Sequence, residues 1–511
     1  MNARLEQEND PEVLRAALRL LDKEYRKVVA KLREMTRKAS SNDAKGQAVL
    51  ALELQALEQK LADANRRLFA PTSEKRPRDE AAADAADVAP AEKKKGHGPR
   101  PQLELPRKEV VHEVAAADRS CTSCGKALEP WADQDETSEE ITVVERRFVV
   151  LTHRRQKMRC ACGACIQVAA PPLKLREGGR YSVDFAVEVA AAKYLDHQPL
   201  ERQVRTMARE GLKVDSQTLW DQLDAASAWL QPAWMRLGSH QRAQPLLHVD
   251  ETPWLLADKK KAASRWWAWI SRSQDGVFFE LKDSRSAEAA KSLLEGYCGL
   301  VMSDGYAAYG SLRKTALRER GASFRHAHCW AHVRRKFVAL EETFPVEAKE
   351  ALDRIGALFE LEQLVSEERI DDTSLTLRAQ IRRERSAPLV KSLGEWLATL
   401  CPLPQSGLGK AVQYTEKLWA GLTLFLVEPL VPLSNNAAER AIRGAVVGRK
   451  NYYGSRSERG CQVAAILYSL VESAKLCDIE PKAYLRGALD EALRGVPVRL
   501  PHEVRADLAA R

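Results

Sequence analysis

Apolar residues near the start of the chain recur in alternating steps of three and four. They form two blocks, which are Leu14, Leu18, Leu21, Tyr25, Val28 and Leu32, then Leu50, Leu54, Leu57, Leu61, Ala64 and Leu68. This heptad spacing predicts coiled-coil helices over residues 1–70, with a polar break between the blocks. An antiparallel hairpin of two helices within one chain would give the same pattern. We favour self-association through a leucine-zipper-like coiled coil, because neither block has another obvious apolar surface to pack on.

The periodic pattern stops after residue 70 and gives way to a linker. Half of the residues from Asp79 to Glu92 are alanine, and Lys93–Pro101 is rich in lysine, glycine and proline. This composition predicts a flexible basic linker over residues 71–105. Such charge runs are commonly solvated spacers, although this one could also contact a DNA backbone.

Short strands and then helices are expected after the linker. Residues 106–170 should form strands, such as Val110–Val114 and Arg147–Thr152, around a cluster of cysteines. Residues 171–245 have helical periodicity, and the stretch 204–223 contains a helix, a glycine turn and a second helix. This stretch resembles a DNA-binding helix-turn-helix, but an ordinary packed helix pair has the same pattern.

The pattern changes again at residue 246. Four short runs rich in tryptophan and β-branched residues predict strands, namely Leu246–Val249, Arg265–Arg272, Val277–Leu281 and Leu300–Met302. Helical periodicity then returns over residues 331–430. We therefore expect an α/β domain over residues 246–455 with an all-α insertion at about 333–430, followed by a C-terminal helical region over 456–511.

Composition narrows the class of protein. The chain is 45% hydrophobic and 30% charged, and no apolar run is long enough to cross a membrane. Its first residues lack the apolar core of a signal peptide. We therefore expect a cytoplasmic protein without membrane contact. The net charge of +9 is mild, so the local clustering of lysine and arginine matters more for binding phosphates than the sum does.

Half of the ten cysteines lie in one short region, at Cys121, Cys124, Cys160, Cys162 and Cys165. Four thiolates in tetrahedral geometry close a structural Zn²⁺ site, so two cysteine pairs predict a zinc-ribbon-like DNA-binding domain. The second stretch offers three cysteines for two places. Cys162 and Cys165 have the favoured spacing, whereas Cys160 and Cys162 put a glycine directly after the second ligand, and both choices stay open.

Three acidic segments carry the candidate chemistry. Asp250 and Asp304 each follow an apolar run that reads as a strand, and Glu439 lies on a predicted helix for which Ser434 is the candidate N-cap. Each acid alone would commonly be a solvated turn residue. Together, two carboxylates at strand ends and a third from a helix could hold two divalent cations about 3.5–4 Å apart, which suits phosphoryl transfer.

These segments resemble a transposase of insertion sequence family 66, from the coiled coil to the C-terminus. The matching segments are Ser73–Lys75, the two cysteine stretches, Lys193–Leu200, Asp250–Pro253, Ser303–Tyr306, Asn435–Arg443 and Gly448–Asn451. The last of these blocks are long and specific. The chain departs from the family pattern at Ser434, where the family often has aspartate, and in its irregular second cysteine stretch.

The resemblance implies an Asp-Asp-Glu transposase with a ribonuclease-H-like catalytic core, hence a fold of class α/β plus α. Asp250, Asp304 and Glu439 would be catalytic and would hold two Mg²⁺ (or Mn²⁺) ions per active site. The enzyme would bind the ends of an insertion sequence, cleave the DNA and join the 3′-OH ends to target DNA. Its partners would be double-stranded terminal repeats and target DNA, a second copy bound through the coiled coil, and accessory proteins of the same element. The expected location is the bacterial cytoplasm, in association with the nucleoid.

Further residues are candidates for DNA binding or for support of the site. The basic residues after the glutamate are candidates for DNA contacts, although a solvated helix face is the alternative: Arg440, Arg443, Arg449, Lys450 and Arg456. Cys329, His332 and Asn436 are candidates for support. Cys329 and His332 could hold a second zinc ion, but histidines near a phosphate site more often orient DNA or water, or simply pack.

Two residue types near the site are expected to be structural. Glu251 should point to the face of its strand opposite to Asp250, because side chains alternate along a strand. Trp266, Trp267 and Trp269 should serve core and cross-strand packing.

Other functions explain part of the sequence. A DNA-binding regulator without catalysis accounts for the zinc, helix-turn-helix and coiled-coil features but not for three matched acidic segments. A nuclease that only hydrolyses DNA, or a catalytically decayed transposase copy, would retain the same acidic residues.

Overall fold

The computed structural model describes residues 126–127, 148–159, 166–257, 264–364 and 372–509. The expected coiled coil, the linker, the strand Val110–Val114 and all five clustered cysteines lie outside the described residues.

The first described element is a two-stranded antiparallel hairpin. Strand β1 (Lys157–Arg159) pairs with β2 (Ile166–Val168). The predicted strand Arg147–Thr152 is wrong in its described part, because residues 148–156 have no regular secondary structure. Val149, Val150 and Leu151 of that run are exposed, so they lack the packing that makes such residues favour a strand, whereas Phe148 is partly buried against Phe185.

Three helices follow, α1 (Val183–Tyr194), α2 (Leu200–Arg209) and α3 (Ser216–Arg242). The turn between α2 and α3 contains Gly211 at φ +88°, a conformation that glycine adopts without strain. Asp215 begins α3, because its side chain accepts a hydrogen bond from the Thr218 N–H at 2.6 Å. The helix, glycine turn and second helix predicted from the sequence are confirmed as elements, and α3 is much longer than predicted.

A five-stranded mixed sheet lies at the centre. Its strands are β3 (Leu246–Leu256), β4 (Ser264–Arg272), β5 (Val277–Lys282), β6 (Leu300–Ser303) and β7 (Arg325–His328). Their order is β5-β4-β3-β6-β7, with β4 antiparallel to both neighbours and β3, β6 and β7 mutually parallel. Four of the strands were predicted. β7 was not, because its four residues lack an apolar pattern.

Strand β3 differs from its prediction in length. The predicted strand ends at Val249, whereas the observed one continues to Leu256, so Asp250 lies inside it rather than after it. The pairing of β3 with β6 ends at His248, so the stretch around Pro253 pairs with β4 alone until Leu256 forms a parallel bridge with Ser455. Pro253, which suggested a turn, stands in this one-sided stretch, where proline is tolerated.

Helices α4 (Ala287–Leu294) and α5 (Ala307–Arg320) connect β5 to β6 and β6 to β7. The helices after β7 lie where the sequence indicates a helical insertion. They are α6 (Trp330–Val338), α7 (Pro345–Gln363), α8 (Asp372–Ile381), a π-helix (Arg382–Ser386), α9 (Ala387–Thr399), α10 (Gly407–Leu422) and a 3₁₀ turn (Leu424–Leu426).

Four helices complete the described chain, α11 (Asn436–Tyr452), α12 (Glu458–Leu476), α13 (Pro481–Leu493) and α14 (Pro501–Ala509). Helix α12 covers the outer edge of the sheet at β5. The hydroxyls of Ser469 and Ser473, one helical turn apart, each accept a hydrogen bond at 2.8 Å from a β5 N–H, those of Phe279 and Val277. The helix thus satisfies backbone groups that an open edge strand would expose.

The described residues form two hydrophobic cores. The main core joins α1–α3, β3–β5, α4, α5 and α11–α13, whereas the insertion core joins the insertion helices to β6 and β7. Strand β6 serves both, because side chains alternate along a strand: Val301 belongs to the main core, and Leu300 and Met302 belong to the insertion core.

The main core contains residues from both sides of the expected domain boundaries at residues 245 and 455. Leu219 of α3, Val249 of β3 and Leu467 of α12 are all fully buried in it. The helical region before the sheet and the C-terminal helices are therefore packed as one body with the sheet. Among the described residues, no helix is both long and apolar enough to span a membrane.

Candidate active site

The three predicted carboxylates come from three different elements. Asp250 lies on β3, Asp304 directly follows β6, and Glu439 lies in the first turn of α11. Because β3 and β6 are parallel neighbours, Asp250 and Asp304 both lie just beyond the last paired residues of that ladder. We call Asp250, Asp304 and Glu439 the carboxylate cluster.

The three acids of the cluster lie within electrostatic range of one another, although among the described residues their carboxylate oxygens do not all come within 4.8 Å of one another. Burial, as the largest cause, and then the charge of Glu251 raise the pKa of Asp250. The charges of Asp304 and Glu439 add to this and bring the pKa of Asp250 to about 7, although the N–H of Glu251 opposes the rise by donating to its Oδ1 at 2.8 Å. Like charges raise a carboxyl pKa only when they lie close by. The fold therefore brings together all three predicted acids.

The backbone after β6 holds Asp304 in a tight turn. The N–H of Tyr306 donates to Asp304 Oδ1 at 2.8 Å, and Gly305 adopts φ +88° between them. From the insertion, the Tyr414 hydroxyl donates to the carbonyl oxygen of Asp304 at 2.7 Å. The turn is therefore fixed from within and from α10 of the insertion.

Glu439 is paired with a cation from the insertion. The Nη2 atom of Arg335 donates to both carboxylate oxygens of Glu439, at 3.0 and 2.9 Å. The Nη1 atom of the same arginine lies 3.0 Å from His332 Nε2, which is itself 3.8 Å from Glu439 Oε1. His332, a predicted support residue, therefore does lie beside the cluster, whereas the sequence did not reveal Arg335.

Asn435 fixes the start of α11 against β3. Its side chain is fully buried, its Nδ2 donates to the Val249 carbonyl at 2.9 Å, and its Oδ1 lies 3.0 Å from His248 Nδ1. Its backbone N–H donates to the sulfur of Cys329 at 3.1 Å. Asn435 therefore links the helix that carries Glu439 to the strand that carries Asp250 and to the insertion.

Two details of this helix start correct the sequence prediction. The N-cap of α11 is Asn435 rather than Ser434, and neither makes a side-chain cap hydrogen bond there. Asn436, predicted as a support residue, is exposed. The neighbouring asparagines look equivalent in the sequence, and only the direction of the chain at the cap decides which one is buried.

Glu251 points away from the cluster, as expected from strand alternation. Its Oε1 accepts hydrogen bonds from Arg285 at 3.0 and 2.6 Å, and its Oε2 accepts one from the Tyr309 hydroxyl at 2.8 Å. The guanidinium of Arg285 also stacks on the rings of Trp267 and Tyr306. Glu251 is thus a buried anion with its partners already in place, which is a structural role.

Two histidines lie on β7, which pairs with β6, the strand that Asp304 follows. The sequence analysis assigned them no role in the site. His326 Nε2 lies 2.7 Å from the Ser303 hydroxyl, and His328 pairs across the ladder with Ser303. Burial holds the pKa of His328 at about 4 and that of His326 well below its ordinary range. Both rings are therefore neutral packing groups near the site.

Cys329 is buried at the start of α6 and accepts the Asn435 N–H through its sulfur. Burial raises the pKa of its thiol. Within the described part of the chain, the geometry that brings three metal-ligating side chains together occurs at His240, Asp275 and His502, and does not include Cys329 or His332. The arrangement therefore favours a packing role for Cys329 over a second zinc site.

The predicted DNA-contacting residues separate into two groups. Arg440, Arg443 and Lys450 are exposed along α11, at steps of three and seven that place them on one face. Arg449 is different, because its guanidinium donates to the Thr252 hydroxyl at 2.8 Å and to the Pro253 carbonyl. Arg449 therefore ties α11 to β3.

The far end of α11 packs on the segment around α1. The ammonium of Lys193 lies 3.7 Å from the ring centre of Tyr452, and Asn451 donates to the His197 carbonyl at 3.1 Å. Burial and then the charge of Arg456 lower the pKa of Lys193 to about 8. Arg456 is exposed and lies close to this lysine.

The zinc-ligand candidates cannot be located in the same way. Cys121, Cys124, Cys160, Cys162 and Cys165 all lie outside the described residues. Strand β1 ends at Arg159, directly before the second cysteine stretch, and β2 begins at Ile166, directly after it.

Comparisons with known proteins agree on one family. The family model described as "Transposase IS66 family" matches residues 178–463, which include the whole carboxylate cluster. The model described as "zinc-finger binding domain of transposase IS66" matches residues 118–163. No solved structure matches the chain significantly.

Similar curated proteins come from Sinorhizobium fredii (strain NBRC 101917 / NGR234). Uncharacterized protein y4jD is 30% identical over 407 residues, which cover 76% of this chain and 78% of that protein. Uncharacterized protein y4hP is 29% identical over 439 residues, covering 80% and 78%, and uncharacterized protein y4qI is 29% identical over 402 residues, covering 76% and 73%. With more than half of its length matched by the family model, the chain belongs to the IS66 family of transposases.

Proposed function

We propose that the protein cleaves DNA at the ends of an insertion sequence and joins the 3′-OH ends to target DNA, with Asp250, Asp304 and Glu439 as the catalytic residues. The observation that carries the proposal is the placement of these acids on β3, directly after β6 and in the first turn of α11, where the charges of Asp304 and Glu439 both act on Asp250. A buried acid with a pKa of about 7 beside two further acids is an unfavourable concentration of negative charge. Divalent cations would relieve it.

The donor set fits Mg²⁺ or Mn²⁺. These ions prefer carboxylate oxygens, and the cluster offers three carboxylates. When bound, two such ions would stabilise the attacking and leaving oxygens of a phosphodiester. Asp250 and Asp304 would be held in place by the sheet, and Glu439 by the buried Asn435. Arg335 would have to release the Glu439 carboxylate before that group could bind an ion.

The sheet order supports a ribonuclease-H-like core. Three antiparallel strands in chain order, β3 to β5, are followed by two that add in parallel on the other side of β3. The first strand then lies at the centre, beside the next strand that carries an acid. The insertion and α11 would follow as additions that deliver Glu439 to this pair.

The exposed basic face of α11 is suited to bind the DNA backbone. Arg440 and Arg443 lie one and four residues after Glu439, so phosphates bound there would pass close to the carboxylate cluster. The α2–α3 helix pair and the zinc-finger region would recognise the transposon ends. A coiled coil in residues 1–70 would bring two protomers together, so that two ends react in one complex.

The matched family region favours one choice of zinc ligands. It contains Cys121, Cys124, Cys160 and Cys162 but ends before Cys165. The zinc-finger match supports a structural Zn²⁺ ion, and we propose these four thiolates as its ligands. Cys165→Ser should then retain zinc, whereas Cys162→Ser should lose it.

A single acid tests the catalytic assignment. Asp250→Asn should abolish Mg²⁺-dependent cleavage of a labelled terminal-repeat duplex, a loss well beyond the about 10–100-fold typical of outer-shell metal residues. Binding of the duplex should persist. The matched control is Asp283→Asn, an exposed acid in the β5–α4 loop, which should cleave as the unmodified protein does. Cleavage by Asp250→Asn at the control rate would falsify the assignment.

Strand joining needs its own assay. A precut end with a free 3′-OH, incubated with target plasmid and Mg²⁺, should be joined to the plasmid by the unmodified protein but not by the Asp250→Asn variant. Cleavage without joining would instead indicate a nuclease. Binding without either reaction would indicate a regulator or a decayed copy.

A further inference from the structure

A second group of metal-ligating side chains lies outside the carboxylate cluster. His240 is in the last turn of α3, Asp275 is in the turn between β4 and β5, and His502 is at the start of α14. Their nearest ligand atoms all lie within 4.8 Å of one another. Three elements that are distant in the sequence therefore converge on one point with two imidazoles and one carboxylate.

The contacts in this group are direct. His240 Nε2 lies 3.0 Å from Asp275 Oδ1, and the rings of His240 and His502 stack with centres 3.8 Å apart. The side-chain amide of Gln244 lies 3.0 Å from the same His240 nitrogen. The Nδ1 atom of His502 is buried and has no hydrogen-bond partner among the described residues. The Nδ1 atom of His502 is therefore a buried donor or acceptor that the described residues leave without a partner, and a ligand could bind it.

The surroundings hold the carboxylate in an orientation suited to binding a cation. The Ser273 hydroxyl donates to Asp275 Oδ1 at 2.9 Å, and Gln241 Nε2 in turn donates to Ser273 at 3.1 Å. Ser273 and Gln241 are both almost fully buried. Metal sites are commonly built in this way, with a second layer of hydrogen bonds that orients the ligands.

The protonation states of Asp275 and His502 are also suitable, whereas His240 must lose the proton that it donates to Asp275 before its Nε2 can bind an ion. Although burial alone would raise it, hydrogen bonds from His240 and Ser273 hold the pKa of Asp275 below its ordinary value. Burial and the neighbouring His240 lower the pKa of His502. Asp275 is therefore ionised and His502 neutral at pH 7, which are the forms that bind metal ions.

We propose that His240, Asp275 and His502 form a structural site for one divalent transition-metal ion such as Zn²⁺, which fastens α14 to α3 and to the β4–β5 turn. Imidazole nitrogen and carboxylate oxygen are ordinary zinc ligands, and Gln244 or water completes four-coordination. The ion would act at the C-terminal end of the main core, so this inference does not depend on the proposed transposition chemistry.

Binding requires a small movement at α14. With bonds of about 2.0–2.2 Å to the ion, tetrahedral ligand atoms lie about 3.4 Å apart. The separations in the group are at most 4.8 Å, so the widest of them must shorten, whereas His240 Nε2 and Asp275 Oδ1 must move apart slightly from 3.0 Å. The stacked rings must also tilt, because the ion has to lie near both ring planes. We expect His502 to make most of this movement, because it lies in the first turn of the short helix α14, which the ion pair of Glu503 with Arg236 at 2.6 Å also holds to α3.

The experiment measures zinc in the full chain without a polyhistidine tag. The protein is loaded with Zn²⁺, free ion is removed by gel filtration, and the zinc content per chain is determined by mass spectrometry. His502→Phe keeps a ring stacked on His240 but offers no ligand, and Asp275→Asn removes the carboxylate charge. Each should contain about one ion fewer per chain than the unmodified protein, whereas Asp283→Asn should lose none.

Cobalt substitution separates this site from the cysteine cluster. The Co²⁺ spectrum of the unmodified protein minus that of His502→Phe should contain visible bands of a nitrogen and oxygen site without a thiolate charge-transfer band. Added Zn²⁺ should raise the thermal midpoint of the unmodified protein more than that of either variant. Equal zinc contents in the unmodified protein and His502→Phe would overturn the proposal. A loss confined to one of the two variants, or a thiolate band in the difference spectrum, would also overturn it.

Discussion

The main core and the insertion core meet at the carboxylate cluster, but they contribute to it in different ways. The main core supplies the backbone that carries Asp250 and, through Asn435 and Arg449, the position of α11 with Glu439. The insertion supplies two side chains that hydrogen-bond the acidic residues: Arg335 donates to the Glu439 carboxylate, and Tyr414 donates to the Asp304 carbonyl. The main core fixes Asp250 and the position of α11, whereas the insertion pairs with Glu439 and helps to hold the turn at Asp304.

This difference indicates which contacts should be rigid and which should change during the reaction. The hydrogen bonds of Asn435 to β3 are buried and therefore costly to break. The Arg335–Glu439 pair is about one-third exposed on both sides, and such pairs contribute little to stability. We therefore expect the insertion to modulate the site and the main core to hold it, and four experiments test this division.

The largest effect is expected for Asn435→Ala. This substitution leaves the Val249 carbonyl and His248 without their partner in a buried place, so we expect a loss of about 2–4 kcal/mol in the free energy of unfolding. Denaturant unfolding measures it. The exposed neighbour Asn436 provides the control, since Asn436→Ala should stay within about 0.5 kcal/mol. Equal effects at the two positions would contradict the anchoring role of Asn435.

A second substitution disturbs the contact between helix α10 of the insertion and strand β7 of the sheet. A Cβ atom at Gly421 of α10 would lie 2.3 Å from the His328 ring and 2.8 Å from the His326 carbonyl oxygen. Because a backbone atom cannot easily move away, Gly421→Ala should cost about 1–3 kcal/mol.

Its control lies in the same insertion. Gly356 of α7 has nothing within 4 Å of an added Cβ, so Gly356→Ala should be neutral or stabilising by up to about 1 kcal/mol. If Gly421→Ala were equally harmless, α10 would not be packed on β7 as tightly as described.

A third effect is a loss of stability at acid pH that originates at the same contact between α10 and β7. Burial places the pKa of His328 at about 4, below the value of about 6.5 in an unfolded chain. The unfolded state therefore binds a proton first, so the stabilisation is complete above about pH 6.5 and is lost as the pH falls towards 4. We expect this ring to contribute on the order of 2 kcal/mol to the change. Unfolding measured between pH 7 and 4 should be less pH-dependent in His328→Gln, and an unchanged pH dependence would contradict this assignment.

The smallest effect is expected for the exposed ion pair. Arg335→Ala frees the Glu439 carboxylate, so the affinity for Mn²⁺, followed by electron paramagnetic resonance, should rise a few-fold while stability changes by less than about 1 kcal/mol. Arg334→Ala on the same helix should leave the affinity unchanged. A lower Mn²⁺ affinity in Arg335→Ala would mean that this arginine orders the glutamate rather than competing for it.

The sequence predicted most strands of the central sheet, but it missed where β3 ends and it missed β7 entirely. Alternating and β-branched runs predicted β4, β5 and β6 closely, because those strands are apolar on at least one face. β3 was predicted too short, since Pro253 usually ends a strand and its one-sided pairing is a property of the whole sheet. β7 was not predicted at all, because Arg-His-Ala-His gains its strand conformation from pairing with β6.

The residues of the site likewise fall into those that the sequence predicted and those that it did not. The three acids and their alternation with Glu251 were readable from the sequence, because they follow apolar runs at positions that the strand period determines. Arg335, Asn435 and the two β7 histidines were not assigned to the site. They lie in separate segments, and each reaches the acids only through the packing of the insertion and α11.

By itself, the sequence determined the family and the main classes of element and led to the proposal of the three acidic residues, because these depend on local patterns and on specific blocks of residues. Only the tertiary structure decided that α1–α3 and α12 share one core with the sheet and that Asn435 rather than Asn436 is buried. It also decided that Arg449 is bound to β3 while Arg440 and Arg443 remain exposed. The physical reason is that burial and hydrogen-bond partners depend on which elements meet in space, and residues that meet in this fold are as many as 267 positions apart in the chain.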